Sequence, residues 1–235
     1  MTSLYNEPET AAPAAPPALD VVDVFRIFRS GDVETVALRG LDLTVERGEM
    51  VAVLGPSGSG KSTFLALAAG LDQPSAGEVR VFGRPLGRLD ESELAAHRAR
   101  DIAIVFQQGN LWPDLTAEQH VQLALSLAGR RASRIETVAA LAAFGLEQRA
   151  ATRAGLLSGG EQQRVAIAAA AARQAPLLLC DEPTGELDVA NEARVIDALR
   201  RLRDRYDATV VVVTHSDRLA QACDRTITIR DGARG

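Results

Sequence analysis

The sequence predicts an α/β fold with a mostly parallel core sheet, an N-terminal antiparallel β subdomain and a helical subdomain. Short apolar runs typical of buried strands alternate with helical patterns on both sides of a helical stretch, which we place at about residues 108–172. That alternation is typical of a parallel sheet covered by helices. Nearer the N-terminus, residues 21–28 and 41–45 alternate apolar and polar side chains, which favours antiparallel strands.

Composition and length limit the classes of protein to consider. Residues 1–18 are rich in Ala and Pro without periodicity, so we expect a disordered leader followed by one domain over residues 19–235. The net charge of −5 argues against nucleic acid as a partner. No apolar run approaches the roughly 20 residues that cross a bilayer. Two cysteines without metal-ligand spacing are typical of a reduced, intracellular protein.

Individual elements follow from the apolar pattern and from turn residues. The predicted strands after the first two are 50–54, 78–82, 102–106, 177–180, 209–213 and 226–229. The predicted helices are 62–69, 116–144 with a break near 129–133, a helix that starts after Ser158 and runs to 172, 189–205 and 217–222.

Residues 55–62, GPSGSGKS, fit the phosphate-binding P-loop pattern and lie between a predicted strand and a predicted helix. The glycines let backbone N–H groups turn inward around phosphate oxygens, and the helix adds its positive N-terminal end. Lys61, the only lysine beside 25 arginines, supplies a point charge for the β- and γ-phosphates, and Ser62 supplies a hydroxyl for Mg²⁺. The predicted nucleotide contacts of this stretch are Gly55, Ser57, Gly58, Ser59, Gly60, Lys61, Ser62 and Thr63. The alternative is a glycine-rich turn without a ligand.

Two acidic residues follow the apolar run 177–180. Asp181 at the carboxyl end of this strand is a candidate second anchor for Mg²⁺. Glu182 is a candidate general base that polarises an attacking water. Without the P-loop, the same residues would equally fit a buried strand that ends in a solvated acidic pair.

A second candidate anion site lies at the start of a predicted helix, where Ser158, Gly159 and Gly160 offer a hydroxyl and backbone N–H groups. A single active site does not need two anion-binding segments, the P-loop and this helix start. The stretch 157–168 reads LSGGEQQRVAIA, and with it the sequence resembles the ATP-binding cassette (ABC) ATPases, a P-loop NTPase family. The resemblance implies ATP with Mg²⁺ and a head-to-tail dimer. In such a dimer the signature of one copy, including Glu161, closes on ATP at the P-loop of the other.

The resemblance extends from about residue 20 to 230 and implies roles for four further residues. Phe28 is placed where an aromatic ring stacks on adenine. Gln107 matches the Q-loop glutamine that contacts Mg²⁺ and connects to a membrane partner. His215 matches the histidine that contacts the γ-phosphate, and Asp188 closes the D-loop. His97 and His120 match no motif and are interpreted as structural.

The subgroup is indicated by FQQGNLWPDLTA at 106–117 and DEPTGELD at 181–188, which are similar to the lipoprotein-release, macrolide-exporter (MacB-type) and FtsE-type cassettes. That similarity implies a cytoplasmic, peripheral protein on the inner face of the cell membrane, bound to an FtsX/MacB-like permease. Trp112 would contact this permease or be buried in the helical subdomain. Glu186 near the dimer seam and Ala169 after the signature depart from the family pattern.

Two functions stay open at this stage. One is the ATP-hydrolysing subunit of a bacterial ABC transporter, and the other is a regulatory ABC module that switches an extracytoplasmic enzyme or sensor. An ABC ATPase of DNA repair or translation is set aside, because the chain has neither a long coiled coil between P-loop and signature nor a second cassette. The cargo is not specified by the sequence.

Overall fold

Two β-sheets and a group of helices make up the protein in a computed structural model, which describes residues 15–31, 33–185 and 187–235. The strands are β1 (Leu19–Ser30), β2 (Val33–Val45), β3 (Met50–Leu54), β4 (Ala76–Val81), β5 (Arg84–Pro85), β6 (Ile102–Val105), β7 (Leu177–Asp181), β8 (Thr209–Val213), β9 (Arg225–Arg230) and β10 (Ala233–Arg234). The helices are α1 (Lys61–Ala68), α2 (Glu91–Asp101), α3 (Ala117–Leu127), α4 (Arg134–Ala142), α5 (Gly159–Ala172), α6 (Val189–Tyr206) and α7 (Asp217–Gln221).

The core sheet has the strand order β10-β9-β3-β8-β7-β6, in which every pair except β10–β9 is parallel. This confirms the predicted mostly parallel sheet. All five residues of β8 are buried, which matches its uninterrupted apolar sequence. Because parallel strands end at one edge, the loops after β3, β7 and β8 meet there. These loops carry the P-loop, the acidic pair and His215.

The second sheet is antiparallel, with the order β2-β1-β4-β5, as predicted for the N-terminal region. Strand β2 starts at Val33, eight residues earlier than predicted. The prediction missed its first half because these residues are largely exposed and show no apolar alternation. Its pairing with β1 passes from Arg26–Leu38 to Ile27–Val36, which leaves Ala37 as a bulge. Asp32, between the two strands, and residues 1–14 of the predicted leader lie outside the described residues.

Helices α3, α4 and α5 pack on one another through buried side chains such as Val121, Leu141 and Ile167. The break between α3 and α4 spans residues 128–133, where it was predicted. Whether the helical subdomain has the limits 108–172 stays a prediction. The sequence pattern missed α2, which buries only Leu94 and His97 and therefore has a weak apolar periodicity. Among the described residues, no helix is both long and apolar enough to span a membrane.

We predict that substitutions at two P-loop glycines differ in cost. Both have positive φ, 77° at Gly58 and 99° at Gly60, so each Gly→Ala change forces a left-handed residue. A Cβ on Gly60 would lie 2.5 Å from the Ala37 carbonyl oxygen, whereas a Cβ on Gly58 meets no heavy atom within 4 Å. Gly58→Ala should therefore lower the free energy of unfolding by about 1–2 kcal/mol. Gly60→Ala should lower the free energy of unfolding by about 2 kcal/mol more than Gly58→Ala, because it also displaces the backbone at Ala37. Urea unfolding of both variants measures this, and equal costs would contradict the role of the Ala37 bulge.

Candidate nucleotide site

A cleft of about 460 Å³ lies at the carboxyl edge of the core sheet. Its walls combine residues from five segments that are distant in sequence: Ser57, Gly58, Lys61, Ser62, Gln107, Gln163, Asp181, Glu182, Gly185 and His215. The structure thus brings together most of the predicted phosphate, metal and catalytic residues. Gln163 was not predicted as a site residue, although it lies in the signature stretch 157–168. Its position one turn into α5 is the signal that could have located it.

The P-loop presents donors to this cleft from both side chain and backbone. The Lys61 Nζ donates to the carbonyl oxygens of Gly55 at 2.8 Å and Pro56 at 2.9 Å. An ammonium has three donors, so these bonds leave one for an anion. Helix α1 starts at Lys61 after a left-handed Gly60, and no side chain caps it. Its first N–H groups can therefore be satisfied by a phosphate.

The acidic pair lies across the cleft from this loop. Asp181 ends β7 and is half-buried. Glu182 has a φ of 47°, which costs a non-glycine residue about 1–2 kcal/mol, and its N–H donates to the Val213 carbonyl oxygen at 2.9 Å. Glu182 Oε2 accepts from the His215 N–H at 3.2 Å, and Glu182 Oε1 lies 3.3 Å from His215 Nε2. The carboxylate and the imidazole therefore face the cleft side by side.

Oxygen donors for a metal ion converge in the same place. Ser62, Gln107 and Asp181 offer a hydroxyl, an amide oxygen and a carboxylate. In the part of the chain that the structure describes, no group of three or more His, Cys, Asp or Glu side chains is arranged to hold a metal. A single carboxylate with neutral oxygens fits Mg²⁺, which is held by few protein ligands together with substrate phosphates and water.

The signature residues lie at an exposed helix end outside this cleft. Ser158 caps α5: its Oγ accepts from the Glu161 N–H at 3.3 Å, and its N–H donates to Glu161 Oε2 at 2.9 Å. The hydrogen bond from the Ser158 N–H lowers the pKa of Glu161. Arg149 Nε holds the other carboxylate oxygen at 2.9 Å. Ser158 and Gly159 are solvent-exposed, Gly160 is half-buried, and none of the three lines the cleft.

Phe28 is 43% exposed in β1, opposite Thr35. The Cζ of Arg26 lies 4.5 Å from the centroid of its ring, and Arg26 Nε is fixed by Asp72 Oδ2 at 2.8 Å. Phe28 is not a wall of the cleft. Its pairing partner Thr35 lies two residues before Ala37, whose carbonyl oxygen lies beside Gly60 of the P-loop.

Five other predicted residues also lie outside the cleft walls: Gly55, Ser59, Gly60, Thr63 and Asp188. Thr63 is half-buried in α1, and Ser59 is buried with an Oγ that has no partner among the described residues. Asp188 caps α6 by accepting from the Asn191 N–H at 2.8 Å. Glu186, predicted near the dimer seam, lies outside the described residues.

A second surface lies beyond the Q-loop. Trp112 is 60% exposed, which excludes the alternative of a buried tryptophan. Its ring stacks on His120, with centroids 6.4 Å apart. The backbone N–H of Trp112 donates to His120 Nε2 at 2.9 Å, and His120 Nδ1 lies 2.9 Å from the Thr116 carbonyl oxygen, so His120 is neutral with its proton on Nδ1. Buried Ala169 lines the same hollow as Trp112.

Comparison with known proteins agrees with this geometry. The ABC transporter family model matches residues 38–185. The chain is 41% identical over 216 residues to the lipoprotein-releasing system ATP-binding protein LolD of Geobacter metallireducens, covering 91% of this chain and 96% of that protein. It is 40% identical over 214 residues to the macrolide export ATP-binding/permease protein MacB of Bdellovibrio bacteriovorus, covering 91% of this chain but only 33% of that protein's length.

A solved structure also matches over most of the chain. It is the dimeric post-hydrolysis state of the ATP-binding cassette MJ0796 bound to ADP and Pi, with a TM-score of 0.88 and 38% identity over 92% of this chain and 96% of that one. The chain therefore belongs to the ABC transporter family and is an ATP-binding cassette ATPase, similar to the lipoprotein-release and MacB-type cassettes. The predicted P-loop NTPase fold is confirmed.

We predict that Trp112 reports the titration of His120. Burial lowers the pKa of His120 below its ordinary 6.5. Below pH 6.5 the unfolded chain gains a proton that the native His120 lacks, so this residue makes stability fall as pH decreases toward the native pKa. Protonation of His120 also removes the Nε2 lone pair that accepts the hydrogen bond from the backbone N–H of Trp112.

The single tryptophan makes this measurable by fluorescence. In the native protein, its emission should change with a midpoint below pH 6.5. His120→Phe should abolish the transition, whereas His97→Asn, on α2, should leave it in place. A transition that survives His120→Phe would show that another group is responsible.

Proposed function

We propose that this chain binds MgATP in the described cleft, pairs head to tail with a second copy, and drives an FtsX/MacB-like permease as the ATP-hydrolysing subunit of a bacterial ABC transporter. The observation that carries the proposal is the single cleft shared by Lys61, Ser62, Asp181, Glu182 and His215. The exposed signature serine outside the cleft supports the pairing.

Nucleotide binding uses the donors that the P-loop leaves unsatisfied. The remaining Lys61 donor and the uncapped N–H groups of α1 bind the β- and γ-phosphates. Phe28 stacks on the adenine with the ring surface that Arg26 does not cover. Ser62, Asp181 and Gln107 would hold Mg²⁺, which neutralises phosphate charge when bound.

Hydrolysis uses the pair that faces the phosphates. The Glu182 carboxylate only accepts hydrogen bonds, so it orients a water and takes its proton as general base. His215, 3.3 Å away, contacts the γ-phosphate and keeps the carboxylate in place through its backbone N–H. The backbone at Glu182 is held in a strained conformation by β8, so the carboxylate is positioned before ATP arrives.

The second copy completes each site. Ser158, Gly159 and Gly160, supported by Glu161, present a helix start that lies outside the cleft of their own chain, with Ser158 and Gly159 exposed to solvent. Placed against the γ-phosphate of the partner's ATP, this end supplies further N–H donors and a hydroxyl. Asp188 caps the neighbouring α6 at the same seam. Two copies related by a twofold axis then share two sites.

The permease contact involves the surface that follows Gln107. Exposed Trp112 is an aromatic anchor, and it lies a few residues after a wall of the cleft. The names of the LolD and MacB relatives, a lipoprotein-releasing system and an export permease, support a membrane partner of this type. The chain would then work in the cytoplasm, peripherally on the inner face of the cell membrane.

Glu182→Gln tests the proposed base. The substitution keeps the size of the side chain but removes the proton acceptor, so ATP turnover should fall by at least about 100-fold. MgATP affinity should stay close to that of the wild type, because the phosphate donors lie on the P-loop. Phosphate release and equilibrium nucleotide binding measure the two quantities. Turnover above about a tenth of wild type would defeat the assignment.

Ser158→Ala tests the head-to-tail pairing, with Ser133→Ala as a matched control. Both serines cap a helix through the same reciprocal bond to a glutamate three residues later, so both variants should lose about 1 kcal/mol of stability. Only Ser158→Ala should weaken the dimer that ATP induces in the Glu182→Gln background. Analytical ultracentrifugation measures the dimer, and an equal effect of the two substitutions would argue against a shared site.

A further inference from the structure

We infer that Glu192 is a positioning residue for hydrolysis, which fixes the segment carrying His215 to the first turn of α6. The inference rests on the proposed roles of Glu182 and His215. No sequence motif points to Glu192, because it lies four residues beyond the D-loop in a stretch that looks like an ordinary helix start.

The contacts of Glu192 are specific and mostly buried. Its side chain is 12% exposed, and Oε1 accepts from the Ser216 Oγ at 2.5 Å. Its other oxygen lies 3.3 Å from Arg218 Nη1. The Glu192 N–H donates to the Asp188 carbonyl oxygen at 2.8 Å, which ties it to the helix cap. The carboxylate therefore joins the start of α6 to the loop after β8.

The two sequence neighbours of His215 in that loop, Thr214 and Ser216, are fixed by hydrogen bonds. On one side, the Thr214 N–H donates to the Val53 carbonyl oxygen at 3.2 Å, next to the P-loop. On the other side, the Ser216 N–H donates to Thr214 Oγ1 at 3.0 Å, and Ser216 Oγ accepts from the Leu219 N–H at 3.2 Å. The His215 side chain is 55% exposed, so packing does not fix it. Its placement depends on these backbone anchors.

A carboxylate suits this position because of the direction of the hydrogen bonds. The Ser216 hydroxyl has one proton, and an acceptor-only partner fixes that proton toward Glu192. The oxygen lone pairs are then directed to the Leu219 N–H in the first turn of α7, which Ser216 caps. A bond to a charged acceptor is also about twice as strong as a neutral one. Removing it should let Ser216, and His215 with it, move relative to Glu182.

The same link connects the dimer seam to the chemistry. Helix α6 starts directly after its cap Asp188, which the proposed dimer places at the seam with the second copy. A displacement of this start on closure is transmitted by Glu192 to Ser216, one residue from His215. The structure thus offers a short path of three residues, from the Asp188 carbonyl oxygen to the Glu192 N–H and from the Glu192 carboxylate to the Ser216 hydroxyl, by which pairing sets the histidine.

The test compares Glu192→Ala with His215→Ala and with the double variant in the full chain. Glu192→Ala should lower kcat about tenfold while KM for MgATP changes less than about twofold, since it alters geometry at the reacting end only. Glu192→Gln retains an acceptor and should recover most of the loss. The double variant should be no slower than His215→Ala alone, because Glu192 acts through that residue.

Glu136→Ala is the matched control, because Glu136 accepts from the Ser133 hydroxyl at 3.0 Å at the start of α4, outside the cleft. Its turnover should equal that of the wild type. If Glu192→Ala does not fold, Ser216→Ala, which removes the same hydrogen bond from the other side, replaces it in the cycle with His215→Ala. Wild-type turnover in His215→Ala would overturn the proposed role of the histidine itself. A slow His215→Ala beside a normal Glu192→Ala, or an additive double variant, would overturn the positioning role alone.

Discussion

The contact between the Ala37 carbonyl oxygen and Gly60 is the constraint on which the rest of the site depends. The bulge that exposes this oxygen belongs to the antiparallel sheet, whereas Gly60 ends the P-loop of the core sheet. A side chain at residue 60 would collide with the bulge, so only glycine lets the two sheets approach this closely. The Gly232 N–H donates to the Ser59 carbonyl oxygen at 3.1 Å from the turn after β9. The P-loop is therefore held from both sides, and the start of α1 points into the cleft.

A second constraint acts on the opposite wall. Glu182 directly follows a buried strand and adopts a positive φ that a glutamate does not favour. The hydrogen bond to the Val213 carbonyl oxygen continues the β7–β8 pairing for one more residue, and this compensates for the strain. The result is a carboxylate near a histidine at a fixed edge, opposite a lysine. The core sheet thus positions the Lys61 ammonium and the Glu182 carboxylate, so these side chains need little rearrangement when a nucleotide binds.

Sequence reasoning succeeded where a local pattern determines the structure. Residues 55–62 and 177–182 combine an apolar strand with polar residues at its carboxyl end, and this pattern alone predicts where they meet. It failed where tertiary contacts decide. Strand β2 starts early because pairing with β1 extends an exposed segment, and α2 forms although it buries only two side chains. Glu192 contacts Ser216 from another part of the fold, so no local pattern distinguishes it from an ordinary helix residue.

Helix α5 shows why the signature and the cleft belong to one mechanism. Its N-terminal end exposes Ser158, whereas Gln163, five residues later, is a wall of its own chain's cleft. Five residues of helix span about 7.5 Å, and the helix is buried from residue 163 to 170, so Ser158 and Gln163 move as one body. Gln163 Nε2 also donates to the Phe106 carbonyl oxygen at 3.4 Å, next to Gln107. On the proposed pairing, the first turn of this helix would contact the partner's nucleotide through Ser158 and its own Q-loop segment through Gln163. ATP bound against Ser158 would then restrain the segment that carries Gln107, the proposed Mg²⁺ ligand of the chain's own site.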